Sequence, residues 1–286
     1  MLHWEIGKVR VTRIQETEMT AMAGTKHAFL PQATPENLRE MPWLYPHFVS
    51  EDGNMKLSVH ALLVRAPGLN MIVDTCFGND KPRALLGGKA LQTAFLQELK
   101  TAGCPAESVD TVVCTHLHVD HVGWNTRLEG DQWVPTFPNA RYLMGRKEYE
   151  HWRAEQEAEN QAILADSVQP IFDHGLATLV EMDHRVSPEV RLIPTPGHTP
   201  GHVSVMIESE GARALITGDI LHHPCQFGHP EWSPVFDSDP IAGARTRRSV
   251  MGDVADAPVL VIGTHFAAPT AGHVRRNGDA FRFDVR

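Results

Sequence analysis

The feature that most constrains the fold of this chain is a group of four candidate metal ligands directly after an apolar run. Residues 115–124 read THLHVDHVGW and place His116, His118, Asp120 and His121 within six residues, while residues 109–114 read VDTVVC. Such a run is typical of a buried strand. Surface histidines, or a helix cap at Asp120, would explain single residues, but three imidazoles and a carboxylate together favour a metal site. The sequence therefore predicts a metal centre where this strand ends.

Other candidate ligands also follow apolar runs. His198 lies in TPGHTPGH, where Pro-Gly predicts a tight turn, Asp219 ends ALITGD, and His265 follows VLVIGT. Taken singly, each has another explanation: His202 competes with His198, the aspartate suits a turn or a helix cap, and His265 suits a structural role. Together with the HxHxDH segment, they predict that several strand ends contribute ligands to one site.

Length and charge limit the class of protein. The chain has 286 residues, which is enough for a self-sufficient core, and we expect a single domain over residues 1–286. Its 26 basic and 35 acidic residues give a formal net charge of −9, so we expect no nucleic-acid partner. No stretch approaches the ~20 apolar residues of a membrane span, and the first residues do not resemble a signal peptide. We therefore expect no membrane contact and a cytoplasmic location.

Strand-like runs alternate with amphipathic helical segments along most of the chain. The segment LQTAFLQELKTAG, for example, places Leu91, Phe95, Leu99 and Ala102 on one helical face, and Gly103 predicts its end. The notable histidines and aspartates fall where strand-like runs end. This pattern predicts two β-rich layers packed on each other, helices outside them, and a site built from loops at one edge.

The order HxHxDH, Gly-His, Gly-Asp and Gly-Thr-His resembles the metallo-β-lactamase-fold hydrolases from about residue 57 to the end of the sequence. The resemblance implies an α/β fold, a four-layer αββα sandwich in which two mixed β-sheets are flanked by helices. It also implies that Asp74, in IVDTCFG, orders the histidine loop, although a turn residue would explain this aspartate equally well. The implied metal ligands are His116, His118 and His198 for one ion, Asp120, His121 and His265 for the second, and Asp219 as the bridge.

The segments SPVFDSDP, ARTRRSVMGDVADA and THFAAPTAGHV are similar to the branch that contains N-acyl-homoserine-lactone lactonases and methyl-parathion-type hydrolases. This resemblance implies a dinuclear metal-dependent hydrolase in which a metal-bridging hydroxide attacks a small-molecule lactone or another ester. A phosphotriesterase, or a β-lactam or thioester hydrolase on the same fold, is the alternative. A non-catalytic binding protein is less favoured because the whole ligand set is present.

The donor types indicate which metals the site prefers. Imidazole nitrogens and carboxylate oxygens favour zinc, with manganese, cobalt or iron as alternatives, and we expect two divalent ions per chain. A redox di-iron site would have carboxylates in place of more of the histidines. An iron-dependent oxidoreductase is therefore less favoured than a hydrolase.

One position departs from the lactonase pattern. Lactonases of this branch often have a tyrosine three residues after the bridging aspartate, whereas this chain has His222. We assign catalytic roles to Asp120 and His222, since an imidazole can donate a hydrogen bond or protonate a leaving alkoxide; packing beneath the metals is the alternative for His222. We expect His60 to be a hydrogen-bonded sheet residue, with a position facing the cavity as the alternative, and Trp124 either lines the pocket mouth or is buried.

Residues 20–56 interrupt the regular pattern with prolines and large apolar side chains. We predict that this excursion forms part of a lid over the site and contributes to a homodimer contact; covering the outer face of the sandwich is the alternative. Replacing Trp43 and Tyr45 together by alanine is then expected to raise KM for a long-chain or aromatic ester. The large side chains available in this segment are Phe29, Trp43, Leu44, Tyr45 and Phe48.

Overall fold

A computed structural model describes residues 1–21, 23 and 28–285. The strands of the first part of the chain are β1 (His3–Ile6), β2 (Val9–Ala21), β3 (Met55–Ala66), β4 (Leu69–Val73), β5 (Thr111–Cys114), β6 (Thr126–Glu129), β7 (Gln132–Pro135), β8 (Arg141–Gly145) and β9 (Ala177–Val180). Strands β6 and β7 form a separate hairpin, and the others form one sheet in the order β1-β2-β3-β4-β5-β8-β9. Neighbours are antiparallel up to β4 and parallel from β4 to β9.

A second sheet follows in the later part of the chain. Its strands are β10 (Val190–Pro194), β11 (Val203–Ser209), β12 (Ala212–Ile216), β13 (Val259–Ile262), β14 (Ala271–Asn277) and β15 (Ala280–Asp284). They pair in chain order, and only β12 and β13 are parallel among the described residues. Both sheets are therefore mixed, as the family resemblance implied.

The helices are short apart from the last one. They are α1 (Pro35–Arg39), α2 (Phe95–Thr101), α3 (Arg146–Ala154), α4 (Ala158–Ile163), α5 (Gln169–Asp173), α6 (Cys225–Gly228) and α7 (Pro240–Val254). Helix α2 is shorter than its amphipathic pattern, because Leu91 forms a bridge with Asn79 instead of entering the helix. Gly103 follows α2 with φ +81°, a conformation that glycine adopts without strain. Among the described residues, no helix has the length and apolar character that a membrane span requires.

The core has three layers because successive strand residues point to opposite faces. In β5, Val113 joins a buried cluster that also contains Val11 of β2 and Val205 of β11, so this cluster lies between the two sheets. Its neighbour Val112 instead joins the cluster in which the first sheet packs against Phe95 of α2 and residues of α3 and α5. A third cluster covers the other face of the second sheet. The αββα sandwich is therefore confirmed.

The described part of the 20–56 excursion belongs mainly to this third cluster, and residues 22 and 24–27 lie outside the described residues. Leu44 and Phe48 are fully buried, and the ring of Phe48 lies 5.9 Å from that of Phe283 in β15. Trp43 is half-buried, close to Gly228 of α6. Most of the described segment thus follows the alternative interpretation, in which it covers the outer face of the sandwich.

Candidate metal centre

The HxHxDH loop follows β5 and is held by an aspartate at the end of the neighbouring strand β4. The Oδ1 atom of Asp74 accepts the backbone N–H of Thr115 at 2.8 Å, and its Oδ2 atom accepts the Thr115 hydroxyl at 2.8 Å and Nδ1 of His121 at 2.9 Å. Asp74 is buried and has φ +58°, a backbone conformation that aspartate tolerates better than most residues. This aspartate therefore orders the histidine loop, the role that the family resemblance implied.

Three ring nitrogens form the first ligand group. His116 Nε2 lies 3.0 Å from His118 Nδ1 and 3.2 Å from His198 Nε2, and the latter two nitrogens are 2.8 Å apart. Nδ1 of His198 donates to Asp237 Oδ1 at 2.8 Å, so Nε2 of a neutral ring carries the lone pair. Nδ1 of His116 faces the Thr115 hydroxyl at 3.1 Å, and this hydroxyl already donates to the Asp74 carboxylate, so His116 Nε2 carries a lone pair too.

The lone pairs of ring nitrogens that lie about 3 Å apart repel each other unless a cation lies between them. The hydrogen bonds on the far side of the His116 and His198 rings thus fix the tautomers that a metal ion needs. The first group, with its three nitrogens converging, fits a divalent ion that accepts imidazole ligands.

A second group contains two imidazoles and two carboxylates. His121 Nε2 and His265 Nε2 are 3.2 Å apart and lie 3.1 and 3.2 Å from Asp219 Oδ2. Asp120 completes the group, with Oδ1 3.6 Å from His121 Nε2 and Oδ2 3.5 Å from His265 Nε2. Nδ1 of His265 donates to the Ser58 carbonyl at 3.1 Å, which again leaves Nε2 with the lone pair. These donors fit a second divalent ion.

The two groups share Asp219. Its Oδ2 atom is also 3.7 Å from His116 Nε2 and 3.7 Å from His198 Nε2, while its Oδ1 atom is buried and has no hydrogen-bond partner among the described residues. A buried, unpaired carboxylate oxygen costs free energy, and a bound cation removes that cost. Asp219 thus lies where one carboxylate can contact ions in both groups.

Burial and charge set the protonation of the ligands. Burial, together with neighbouring imidazoles, holds the pKa of His116, His118 and His198 well below the usual range of histidine. Burial acts in the same direction on His121, but the Asp219, Asp74 and Asp120 carboxylates outweigh it and raise the pKa of this ring well above its usual range. The three histidines of the first group are therefore neutral, the form that ligates metals. In the second group the carboxylates favour a positive charge on His121, and a bound cation can supply that charge instead.

The pKa of Asp219 itself follows from the same contacts. Burial raises it, but the His121 and His265 rings outweigh burial and hold the pKa of this carboxyl well below its usual range. Asp219 is consequently an anion, the form that ligates metals.

His222 lies at the edge of this cluster. Its Nε2 atom is 3.2 Å from Asp219 Oδ2, and its ring is stacked on that of His265 with 5.8 Å between centroids. Neither ring nitrogen has a hydrogen-bond partner among the described residues. His222 is thus next to the shared carboxylate, and both its nitrogens are free of hydrogen bonds to the described residues.

His202 does not face the ligand atoms, although its spacing made it a competitor of His198. Its Nε2 atom accepts the backbone N–H of Asp219 at 2.8 Å, and its Nδ1 atom lies 2.8 Å from the Thr195 hydroxyl. A Cβ atom at Gly218 would lie 2.5 Å from His202 Nε2, so only glycine fits at this corner. His202 therefore supports the turn that carries Asp219.

The two remaining candidates are structural. His60 Nδ1 lies 2.9 Å from the Ser58 hydroxyl and His60 Nε2 lies 3.1 Å from the Gly263 carbonyl, as expected for a hydrogen-bonded sheet residue. Trp124 is buried, stacks on Phe95 at 5.4 Å and donates its indole N–H to Glu16 at 2.7 Å. Trp124 is thus a core residue and does not line the pocket mouth.

The structure also shows contributing residues to which the sequence analysis gave no role. The buried carboxylate of Glu148 accepts the Leu117 and Gly201 N–H groups at 3.2 and 2.9 Å and the Thr199 hydroxyl at 2.7 Å, so it joins the histidine loop to the His198 turn. Burial raises the pKa of Glu148. This contact has no signal in the sequence, because Glu148 lies in the ordinary-looking helical segment RKEYEHW.

Phe236 lies beside three histidines of the candidate site. It is 43% exposed, and its ring centroid lies 5.4 Å from His222, 5.9 Å from His198 and 6.3 Å from His118. Phe29 stacks on it at 6.1 Å, and the N–H of Val235 donates to the Phe29 carbonyl at 2.9 Å. The SPVFDSDP segment was used for the family resemblance, but nothing in it distinguished this side chain.

The layered fold and the two ligand groups that share one carboxylate define a metal-binding protein of the αββα class. A family model described as the metallo-beta-lactamase superfamily matches residues 55–266, and the chain belongs to this superfamily. The resemblance inferred from the motif order is thereby confirmed.

Individual relatives agree with this assignment. The chain is 34% identical to an N-acyl homoserine lactonase of Bacillus cereus over 166 residues, 58% of this chain and 59% of the relative. It is 28% identical over 180 residues to a probable metallo-hydrolase of Mycobacterium tuberculosis, 58% of each chain. The match thus spans about three fifths of the length of these curated relatives.

Solved structures show the same fold over nearly the whole chain. The dizinc quorum-quenching lactonase AidC, in complex with N-hexanoyl-homoserine as product, has a TM-score of 0.81 at 19% identity, covering 98% of this chain and 95% of that one. The hydrolase AbOPH of the β-lactamase superfamily also has a TM-score of 0.81, at 24% identity, with 100% and 97% covered.

Proposed function

We propose that this protein is a dinuclear metal-dependent hydrolase that opens a lactone or cleaves another small ester. The observation that carries the proposal is the pair of ligand groups that meet at Asp219, each with lone pairs directed at one point. The metal ligands in this proposal are His116, His118 and His198 in the first group, Asp120, His121 and His265 in the second, and Asp219 in both.

Zinc is the proposed metal, because these nitrogen and oxygen donors match its preferences. When bound, two such ions supply an activated water molecule at neutral pH and polarise the carbonyl oxygen of the substrate. Other residues of the chain orient the metal ligands. Asp74 keeps the Nδ1 proton of His121 in place.

His222 is the proposed donor to the leaving group. Its Nε2 atom lies beside Asp219, and neither ring nitrogen bonds to another described residue, so one nitrogen can donate a hydrogen bond to the alkoxide that forms when the ester bond breaks. Asp120 acts from the second group, where its two carboxylate oxygens face His121 and His265. Both roles are carried over as proposals from the sequence.

The lactone substrate is supported by an apolar wall as well as by the relatives. Phe29 and Phe236 stack beside His222, and together they offer aromatic surface next to the proposed reacting carbonyl. An apolar wall excludes water and holds a non-reacting acyl chain. Two of the curated relatives are named N-acyl homoserine lactonase, and an N-acyl homoserine lactone has such an acyl chain.

We further propose that residues 1–286 act as one domain, that the protein works in the cytoplasm, and that it forms a homodimer. The domain proposal rests on the buried cluster between the sheets, to which both parts of the chain contribute. The dimer proposal rests on the exposed apolar side chains of Val235 and Ile241, which lie in one stretch of the chain. Sedimentation of the purified protein tests it, and a monomer at micromolar concentration contradicts it.

Metal analysis followed by a substrate panel tests the central proposal. The purified protein, reconstituted with zinc, is expected to hold two ions per chain, lose turnover on chelation and regain it when zinc is restored. The panel contains an N-acyl homoserine lactone, an aryl ester, a phosphotriester, a thioester and a β-lactam. Binding of at most one ion, or turnover of the phosphotriester, thioester or β-lactam without any lactone or ester turnover, contradicts the proposal.

A further inference from the structure

A buried arginine connects the corner that carries Asp219 to the segment that contains Asp237. Arg247 of α7 has no exposed surface, and its guanidinium donates from Nε to the Pro230 carbonyl at 2.9 Å and from NH1 to the Ile220 carbonyl at 3.4 Å and to Asp237 Oδ2 at 3.3 Å. Ile220 directly follows Asp219. One cation therefore holds both the corner of the shared aspartate and the segment that contains Asp237.

The Asp237 carboxylate uses its two oxygens for different partners. Oδ2 accepts from Arg247, and Oδ1 accepts Nδ1–H of His198 at 2.8 Å. Both charged side chains are buried, so each is stabilised mainly by the other and by these hydrogen bonds. A carboxylate that was present only to neutralise Arg247 would not need its second oxygen aligned with an imidazole.

The backbone around Asp237 is also attached to the His198 turn. The N–H of Ser238 donates to the His198 carbonyl at 2.9 Å, and the N–H of Asp239 donates to the Gly197 carbonyl at 2.9 Å. A Cβ atom at Gly197 would lie 2.3 Å from Cα of Gly243 in α7, so the turn packs directly on the helix backbone. The His198 ring is consequently held by its own backbone and by a carboxylate that is anchored from α7.

We propose that Asp237, anchored by Arg247, is the positioning residue that fixes the tautomer and orientation of His198 and thereby sets the metal affinity of the three-histidine group. The inference rests on the proposed dinuclear centre. With Asp237 in place, the proton stays on Nδ1 and the Nε2 lone pair points at His116 and His118. Without the carboxylate, the ring can rotate or carry its proton on Nε2, where it competes with the ion.

Asp239 supplies a matched control two residues away. Its side chain accepts the Ala242 N–H at 2.9 Å and caps α7, but it makes no side-chain contact with His198 among the described residues. Replacing it by alanine removes a cap and lowers stability, whereas the metal ligands keep their partners. Asp239→Ala thus measures what a general loosening of this segment does to metal binding.

The experiment compares Asp237→Ala, Asp237→Asn, Asp239→Ala and the parent protein. Each metal-free protein is titrated with Zn²⁺ against a chromophoric chelator, which reports the number and affinity of ions independently of turnover. Asp237→Ala is expected to weaken one of two ions by about 10- to 100-fold, the usual effect of losing such a partner. Asp237→Asn keeps an acceptor oxygen without the charge and is expected to lose less, while Asp239→Ala keeps both affinities despite a lower Tm.

The outcomes separate this inference from the proposed function. A parent protein that binds at most one ion overturns the dinuclear centre itself. If the parent binds two ions and Asp237→Ala binds both with the same affinities as the parent, only the inference is overturned. The same conclusion follows if Asp239→Ala loses as much metal affinity as Asp237→Ala. Where Asp237→Ala does not fold, Asp237→Asn decides: a weakened ion supports the inference and an unchanged one overturns it.

Discussion

Phe236→Ala is the substitution that tests most directly how the site holds its substrate. The side chain is 43% exposed beside the proposed metal ligands, and its ring is 5.4 Å from that of His222. Since a phenylalanine buries roughly 200 Å² when fully covered, roughly 85 Å² is available to a substrate. At about 25 cal/mol per Å², covering this area contributes about 2 kcal/mol, or about 30-fold in affinity.

The assay is the steady-state kinetics of a series of N-acyl homoserine lactones of increasing chain length. Phe236→Ala is expected to raise KM for long acyl chains by up to about 30-fold, with little change for the shortest chain, because only a long chain reaches the ring. The bound metal is expected to stay the same, since Phe236 offers no ligand atom. The loss of affinity should therefore grow with chain length.

The double variant of Trp43 and Tyr45 to alanine is the matched comparison. The sequence analysis expected these residues to form the pocket, but the structure packs both against the cluster on the outer face of the second sheet. The structure thus predicts lower stability for this variant and an unchanged dependence of KM on chain length. Equal loss at every chain length in Phe236→Ala, or a chain-length effect in the Trp43 and Tyr45 variant instead, would refute the reasoning.

Two further predictions concern buried side chains, namely Asp219 and His202 at the candidate metal centre, and Lys81. Asp219→Ala is expected to lose the shared ligand and nearly all turnover. His202→Ala is expected to keep both ions but to lose about 1–3 kcal/mol of stability, because the Asp219 N–H is left without its acceptor. Metal analysis and denaturant unfolding check this, and equal loss of turnover in the two variants counts against it. Burial lowers the pKa of Lys81, which is 1% exposed, to about 7. Between pH 7 and the ordinary pKa of lysine, the unfolded chain therefore binds more protons at this residue than the folded chain does. The free energy of unfolding then rises with pH in that window, by at most about 1.4 kcal/mol per pH unit. Lys81→Met is expected to flatten the rise measured from pH 7 to 9, and an unchanged slope is the contrary result.

The candidate metal ligands could be located from the sequence because their signal is local. A strand that ends in HxHxDH places its donors within a few residues of each other, and the parallel pairing of β4 with β5 brings Asp74 beside that loop. The αββα architecture followed from the family resemblance, and the alternation of apolar residues explains its layers. Local order along the chain is thus enough to find donors that lie at strand ends.

The residues that orient these donors were not open to prediction in the same way. Asp237 and Arg247 contact each other only because α7 packs on the His198 turn, and Glu148 meets Gly201 from a separate helix. Such contacts join residues that are far apart in the sequence, so local sequence patterns do not predict them. The lid prediction for residues 20–56 was too broad for a related reason, since large apolar side chains serve equally well as a pocket wall and as a cover for a sheet.

The division of the ligands between two sheets has a consequence for how the protein is made. The HxHxDH loop belongs to the first sheet, while His198, Asp219 and His265 follow strands of the second. During synthesis, the loop leaves the ribosome long before its partners exist, so an ion captured then is held by an incomplete set and exchanges freely. Firm retention begins only when the second sheet has docked. We therefore expect metal retention to distinguish chains in which both sheets have docked from chains in which they have not.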